Sequence, residues 1–347
     1  MLTRYLVLLY LKYFSLIFIA LVFFFVGLDY IQNAKSLPNS ANLQILYVVY
    51  KSFYAIDVLL PIATIFGMLA TKIYLIRSNE LVAIYSIGYD KKSVIKPFFW
   101  ASFFIITLFM ALHTTSFAYA NENADNIRKH SLSASSTSNL FFKYFDYYIY
   151  FKRLYPFQKK AEDVGIFKLD NGKLKELIKA RSAYFEDNRW KIKKADLVEN
   201  RYNGEKKIRI YKNKNIDLLE GFKPKILDSV YEGKTSFSII DAFYAIKLLK
   251  EQDVNIQKIK AVLFAQMIYP FFAPFLMVII FYFVPITQRL SSITFFSFTA
   301  IISSLIVWGL LFTLVRLSFA AVLAPEITTL VPIAILALIA LLFYKKF

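Results

Sequence analysis

Charged side chains that fall within long apolar stretches are the best candidates for chemistry in this sequence. Asp57 is the one acid inside such a stretch. An acid within a membrane-spanning segment usually faces a protein interior or a cavity and has a partner, which Arg316 or His113 could supply. A structural pair and a substrate site are both open for Asp57, and we favour the structural pair.

Motifs of the common catalytic classes are missing. The sequence has no P-loop for ATP, no Gly-x-Ser-x-Gly elbow and no His-Glu-x-x-His pair. Cysteine is absent, and His113 and His130 are too isolated to suggest a zinc site, which needs three or four ligands. We therefore expect a non-catalytic chain without a cofactor or a metal, whose energy comes from a partner.

Six apolar runs define the elements that position these residues. They cover 13–28, 52–71, 97–121, 261–288, 290–315 and 327–344. A bilayer is crossed by about 20 apolar residues, and the composition, 58% hydrophobic, agrees with a membrane protein. The sequence predicts a membrane α-helical fold with six transmembrane spans, three on each side of a polar insert. Pro270, Pro274 and Pro285 predict that span 4 is kinked.

The short loops predict the orientation of the spans, because positively charged loops stay in the cytoplasm. The loop between spans 2 and 3 is rich in basic residues: Lys72, Arg77, Lys91, Lys92 and Lys96. Arg289 lies in the tight loop between spans 4 and 5, whereas the loop between spans 1 and 2 offers only Lys35. We expect both termini in the cytoplasm of a bacterial inner membrane and the central insert in the periplasm.

The insert has the pattern of a β-domain. Aromatic and β-branched residues fill 147–151 and 164–169, Asp170-Asn171-Gly172 is a turn signal, and alternation recurs at 189–193 and 207–211. Short strands at even spacing indicate a sandwich or a jellyroll. Ser238 is a suitable N-cap for a helix that returns to the membrane. Lysines and arginines are mixed with acids throughout the insert, which fits an anionic lipid partner better than nucleic acid.

Residues 77–88, Arg-Ser-Asn-Glu-Leu-Val-Ala-Ile-Tyr-Ser-Ile-Gly, predict a short helix along the cytoplasmic face. Ser78 can cap its start, Glu80 complements the helix dipole, and Gly88 stands at the position of a terminating glycine. One face of this helix is apolar: Leu81, Ile84 and Tyr85. The helix could rest on lipid headgroups or dock into a cytoplasmic motor subunit, and the residues alone leave both open.

This stretch resembles the Ser-Glu-Leu-Val-x-Met-x-Ala-x-Gly stretch of the LptF/LptG lipopolysaccharide-export permeases. Leu60-Pro61 followed by Gly67-Met68-Leu69 is similar to the family's Pro-x-x-x-Leu-x-Gly region. The first outer loop, 27–31 with Asp29, is similar to the segment that ends helix 1 in LptG members, and 183–190 is similar to periplasmic strands of the family. The resemblance covers essentially the whole chain and is greatest to LptG.

The resemblance implies a permease half of an ABC transporter that extracts lipopolysaccharide from the inner membrane and passes it to a periplasmic bridge toward the outer membrane. The implied partners are an LptB-type ATPase dimer, an LptF-type permease paralogue and an LptC-type periplasmic protein, and the insert would be a periplasmic β-jellyroll. The resemblance also implies that Glu80 is the acid that contacts the ATPase. The neighbours implied in this coupling are Arg77, Leu81 and Ile84.

Basic residues after span 3 are candidates for the lipid. Arg128 and Lys129 lie at the predicted outer surface, where they could form charge-assisted hydrogen bonds with the phosphates of lipid A. Members of the family carry arginines there, so the resemblance implies a lipopolysaccharide-binding role, with Lys35 as a weaker candidate. Ordinary solvated basic residues are the alternative.

The predicted organisation has three parts. Residues 1–120 form spans 1–3 with the coupling helix at 77–88, residues 121–253 form the β-jellyroll domain and a connecting helix, and residues 254–347 form spans 4–6. Two other functions are open: a membrane-anchored envelope scaffold or sensor without transport activity, and the LptF paralogue of the same transporter. Charge reversal at Glu80 would be harmless in a scaffold and would prevent ATPase docking in a transporter.

Overall fold

The structure, a computed structural model, describes residues 1–129, 136–156, 158–170, 173–203, 205–231, 235–250, 255–286 and 292–347. His130, the Asn171-Gly172 part of the predicted turn and Arg289 lie outside the described residues. The chain divides into two compact units. The helical unit contains Met1–His130 and Lys260–Phe347, and the β-unit contains Ser131–Ile259.

Helices flank one block of strands along the chain. Before the strands lie α1 (Leu2–Asn33), α2 (Ala41–Arg77), α3 (Glu80–Ser86), α4 (Lys91–Leu112) and α5 (Ala120–Arg128). The strands are β1 (Thr137–Tyr144), β2 (Tyr147–Tyr155), β3 (Lys160–Asp170), β4 (Lys173–Glu186), β5 (Arg189–Asn203) and β6 (Glu205–Leu218). After them come α6 (Pro224–Tyr231), α7 (Ile239–Lys250), α8 (Gln257–Met267), α9 (Phe272–Phe283), α10 (Ile293–Phe319) and α11 (Val331–Lys346).

Six helical segments among the described residues are long and apolar enough to cross a membrane: Leu2–Ser36, Ala41–Arg77, Lys91–Leu112, Gln257–Phe283, Ile293–Phe319 and Glu326–Lys346. The six predicted spans are thereby confirmed. Span 4 is broken between α8 and α9 by a tight turn that contains Pro270, as predicted, because proline supplies no backbone donor. Together with the inserted strands, these helices confirm the predicted fold class.

The helix ends differ from the ends of the apolar runs. Residues 27–31, predicted as a loop, belong to α1, and Lys72, predicted as a loop charge, belongs to α2. In both helices the polar side chains at these positions, Asp29 and Lys72, have partners within the helical unit. The third span ends at Leu112 rather than at residue 121, and Thr115 begins the next turn by accepting the N–H of Phe117 through its Oγ at 3.2 Å.

The core of the helical unit depends on one close approach between α1 and α2. Gly67 of α2 faces Phe14 of α1, and a Cβ at Gly67 would lie 2.8 Å from the Phe14 Cα. Small residues permit such contact between membrane helices, where packing replaces the hydrophobic effect as the source of stability. Around this point α1, α2, α3, α4, α9, α10 and α11 bury one continuous apolar cluster.

The β-unit is built on one antiparallel sheet, and within the described part of the chain each strand pairs with the next in sequence, from β1 to β6. These strands contain the predicted segments 147–151, 164–169, 189–193 and 207–211. Trp190 is fully buried, and its indole Nε1 donates to the carbonyl oxygen of Phe222 at 2.8 Å. The arrangement is consistent with a jellyroll-like domain.

The helix predicted to begin at Ser238 is confirmed as α7. The Oγ of Ser238 accepts the backbone N–H of Asp241 at 3.1 Å, which is the geometry of an N-cap. The cap satisfies one of the backbone donors that a helix leaves unpaired at its start.

Candidate functional site

The helical unit carries candidate residues at two ends. The α3 end contains α3, the start of α1 and the end of α11. The α5 end contains α5, the end of α1 and the first turns of α2. Helix α2 runs from one end to the other over 37 residues.

The start of α3 differs from the prediction. The Oγ of Ser78 donates back to the carbonyl oxygen of Tyr74 at 3.0 Å, and the backbone N–H of Ser78 bonds to the same oxygen at 2.9 Å. Ser78 therefore belongs to the last turn of α2, and its predicted role as the N-cap of α3 is wrong. The turn is too tight for such a cap, because only Asn79, with a left-handed φ of 59°, separates Ser78 from α3.

The end of α3 follows the prediction. Gly88 has a φ of +98°, which glycine adopts at little cost. Its N–H donates to the carbonyl oxygen of Tyr85 at 3.0 Å, and the N–H of Tyr89 donates to that of Ile84 at 3.4 Å. These two bonds form a Schellman motif, which fixes the direction in which the chain leaves α3.

The apolar face of α3 packs against the chain's own core. Leu81 is fully buried and Ile84 is buried, and burial raises the pKa of the half-buried Tyr85 phenol. A second surface is exposed along residues 77–89 and joins one basic side chain to three apolar ones: Arg77, Val82, Ile87 and Tyr89. We call it the α3 surface. Leu81 and Ile84 position α3, and the α3 surface is the part that is free to meet another molecule.

Glu80 ties α3 to α1. The phenol of Tyr5 donates a hydrogen bond to the Glu80 carboxylate, and Glu80 is half-buried. A carboxylate has about four acceptor positions, so one bond from Tyr5 leaves room for a second donor. Glu80 can therefore hold α1 and accept a hydrogen bond from a partner at the same time.

Lys72 is a buried contact that the sequence reasoning missed. Its Nζ lies 2.6 Å from the carbonyl oxygens of Phe281 and of Val284, at the end of α9, and 3.9 Å from the centre of the Phe281 ring. Residue 285 is proline, so it offers no N–H to the Phe281 carbonyl. Lys72 supplies that donor through its Nζ at the C-terminal end of α9.

The α5 end holds a second buried lysine. Lys51 is 6% exposed, and its Nζ lies 3.0 Å from Asn121 Oδ1, 3.7 Å from Asp29 Oδ1 and 3.8 Å from Asp125 Oδ1. Tyr47 also donates a hydrogen bond to Asp29. This network joins α1, α2 and α5. The sequence signal for this network is the position of Lys51 directly before an apolar run. A lysine that is buried there needs polar partners.

The lysine network extends to Arg128. Its Nη1 donates to Asn33 Oδ1 at 2.9 Å, and its Nη2 lies 3.3 Å from Asp125 Oδ1. Arg128 is thus held against the end of α1. Lys129 and Lys35 are both exposed.

Asp57 is paired with His113. The His113 Nε2 lies 3.0 Å from Asp57 Oδ1, and its Nδ1 lies 3.2 Å from the carbonyl oxygen of Phe109. Both ring nitrogens face oxygen atoms, which holds the imidazole between α2 and α4. Arg316, the other candidate partner, is exposed and lies over the Phe312 ring at 4.8 Å.

Comparison with known proteins decides the family. The family model for the lipopolysaccharide export system permease LptF/LptG matches residues 4–346. The chain belongs to the LptF/LptG family. As a member of this family, the protein is a lipopolysaccharide export permease, which is a multi-pass membrane transporter protein. A comparison with curated proteins finds no match to this LptF/LptG chain.

Proposed function

We propose that this chain is the LptG-type half of an ABC transporter that extracts lipopolysaccharide from the inner membrane and passes it to a periplasmic bridge. The observation that carries the proposal is the α3 surface, an exposed apolar and basic patch on a short helix that is fixed at both ends. Its partners would be an LptB-type ATPase dimer, an LptF-type paralogue and an LptC-type protein. Both termini would be cytoplasmic and the β-unit periplasmic.

The contacts of α3 support a coupling role. Leu81 and Ile84 anchor it in the core, and Tyr5 holds Glu80 from α1. A movement imposed on α3 by an ATPase would therefore be passed to α1 and α2 together. Glu80 would accept a hydrogen bond from the ATPase on the acceptor positions that Tyr5 leaves open, and Arg77 would lie beside it.

The α5 end is suited to the glycolipid's phosphates. Lys35 and Lys129 offer exposed ammonium groups, and Asn33 and Asp125 fix the direction of the Arg128 guanidinium. A positioned guanidinium forms stronger and more specific bonds to phosphate than a mobile one. We propose that these three residues contact the headgroup before it enters the β-unit.

Affinity purification in mild detergent tests the proposal. Native protein should co-purify with an ATPase and a six-span paralogue, and Glu80→Lys should lose the ATPase while keeping the paralogue. Tyr5→Phe is the matched control, because it removes the bond to Glu80 and leaves the acid in place. It should retain most of the ATPase if Glu80 acts by direct contact.

Two outcomes would contradict the proposal. Absence of both partners from the native preparation would favour the scaffold or sensor. Equal loss of the ATPase in Tyr5→Phe and Glu80→Lys would mean that Glu80 only positions α3. The sequence of the co-purified paralogue would also separate the LptG assignment from LptF.

A further inference from the structure

A cavity of about 250 Å³ lies in the wall of the helical unit between α4, α9 and α11. Phe99 and Trp100 line it from α4, Val278 from α9, and Ala337 from α11. Ala340 of α11 also lines it, so α11 presents two small side chains to the cavity. The lining of the cavity is almost entirely apolar, so water inside would lack hydrogen-bond partners.

The cavity opens on a surface that faces lipid. All three helices belong to membrane spans, and Trp100 and Leu341 at its edge are 56% and 61% exposed. Apolar surface on the outside of a spanning helix contacts hydrocarbon rather than water. The expected content of the cavity is therefore part of a lipid acyl chain.

Two basic residues of α4 lie beside the cavity at the α3 end. Lys96 lines the cavity itself, and Lys92, one turn earlier on α4, lies 5.9 Å from the ring of Tyr344, which also lines it. The other charged residues nearby are Lys91, Lys345, Lys346 and Asp90. Asp90 is engaged as the N-cap of α4, where its Oδ1 accepts the N–H of Ser93 at 2.8 Å. Long lysine side chains at the end of a span extend toward the headgroup region.

We infer that this cavity binds part of one acyl chain of an anionic phospholipid, whose phosphate is held by Lys92 and Lys96. The apolar lining accounts for the chain, and the lysines account for the preference for negative charge. In the orientation proposed above, the lipid belongs to the cytoplasmic leaflet, so it is distinct from the transported glycolipid. The site needs neither the ATPase nor transport, and it can be tested when the proposed function fails.

Lipid-dependent thermal stability of the purified full-length protein tests the inference. Detergent-solubilised protein is mixed with dioleoyl phosphatidylglycerol or with dioleoyl phosphatidylcholine, and the melting midpoint is recorded. Phosphatidylglycerol should raise the midpoint by at least twice as much as phosphatidylcholine. Lys92→Gln/Lys96→Gln should remove this difference, and Lys12→Gln, at an exposed lysine of α1, should keep it.

A variant that fills the cavity tests the acyl-chain contact. Ala337→Phe should reduce the shift with phosphatidylglycerol by at least half, whereas Ala334→Phe, at an exposed position on α11 outside the lining, should leave it unchanged. Native mass spectrometry should count one fewer retained lipid for Ala337→Phe. If Ala337→Phe does not fold, the lysine variants alone test the inference. Equal shifts with both lipids in native protein, or a native shift in the double lysine variant, would overturn the inference.

Discussion

Replacing Lys72 by methionine should loosen the contact between α2 and α9. Methionine keeps most of the length of the lysine side chain and removes its donors. The carbonyl oxygens of Phe281 and Val284, each 2.6 Å from Nζ in the native protein, would then lose their buried partner. Pro285 cannot replace it, because proline has no N–H.

The magnitude follows from opposing contributions. A buried acceptor left unsatisfied costs about 1–3 kcal/mol, and two are affected. Removal of the buried Nζ group returns part of its own desolvation cost, which offsets part of that loss. We expect Lys72→Met to destabilise the protein by about 1–3 kcal/mol. Lys72→Ala also leaves a cavity and should cost about 2 kcal/mol more.

Thermal melting in detergent measures this loss. A change of about 2 kcal/mol alters the folded-to-unfolded ratio roughly 30-fold, since 1.4 kcal/mol is tenfold. Lys12→Met, at an exposed lysine of α1, is the control and should stay within about 0.5 kcal/mol of native.

A second substitution makes the reasoning specific. Pro285→Ala restores a backbone N–H four residues after Phe281 and allows Val284, now extended with a ψ of 128°, to join the helix, which should recover about 1 kcal/mol in the Lys72→Met background. Native-like melting of Lys72→Met, or no recovery with Pro285→Ala, would refute the view that Lys72 substitutes for the missing donor.

Three further substitutions, one of them with a matched control, test local packing. Gly67→Ala should destabilise the protein by about 1–3 kcal/mol through overpacking against α1. The control Gly27→Ala, with open space around it, should be neutral or stabilise by up to about 1 kcal/mol. Equal melting midpoints of the two variants would contradict this prediction. Gly88→Ala should cost about 1 kcal/mol and speed hydrogen exchange around α3, and unchanged exchange would speak against its left-handed geometry. Trp190→Phe should cost about 1–3 kcal/mol and raise exchange within the β-unit, while the helical unit keeps its native rates.

The main elements could be predicted because their signals are local. Six apolar runs gave six spans, and alternating residues gave the strands of the β-unit. Ser238 and Gly88 were identified as caps, because a cap depends on residues within one turn of the helix end. Such signals do not depend on residues that are distant in sequence.

Most errors concern residues whose roles depend on distant partners; Ser78 is the exception, because its predicted cap is prevented by the tight turn at Asn79 beside it. Lys72 was predicted as a loop charge because its partners lie more than 200 residues away in sequence. The apolar face of α3 was predicted correctly, but periodicity alone cannot tell whether such a face meets the chain's own core or another protein. The bond between Tyr5 and Glu80, 75 residues apart, is likewise visible only in three dimensions.

The sequence predicted that Asp57 has a polar partner, but it did not identify which one. A membrane-embedded acid needs a partner, and His113 was one of two candidates. Composition could not choose between them, because Arg316 and His113 lie on different spans at similar depth. The choice depends on which helix α2 packs against at residue 57.

The length of α2 has a mechanical consequence. As a rod of 37 residues it measures about 55 Å at 1.5 Å per residue, and its tightest crossing with α1 is at Gly67. The arm from Gly67 to Arg77 is about 15 Å and the arm to Lys51 is about 24 Å. If the crossing acts as a fulcrum and α2 stays rigid through Pro61, a push on α3 moves the Lys51 network in the opposite direction and about 1.6 times as far. Spin labels at the two ends of α2 would measure that ratio directly.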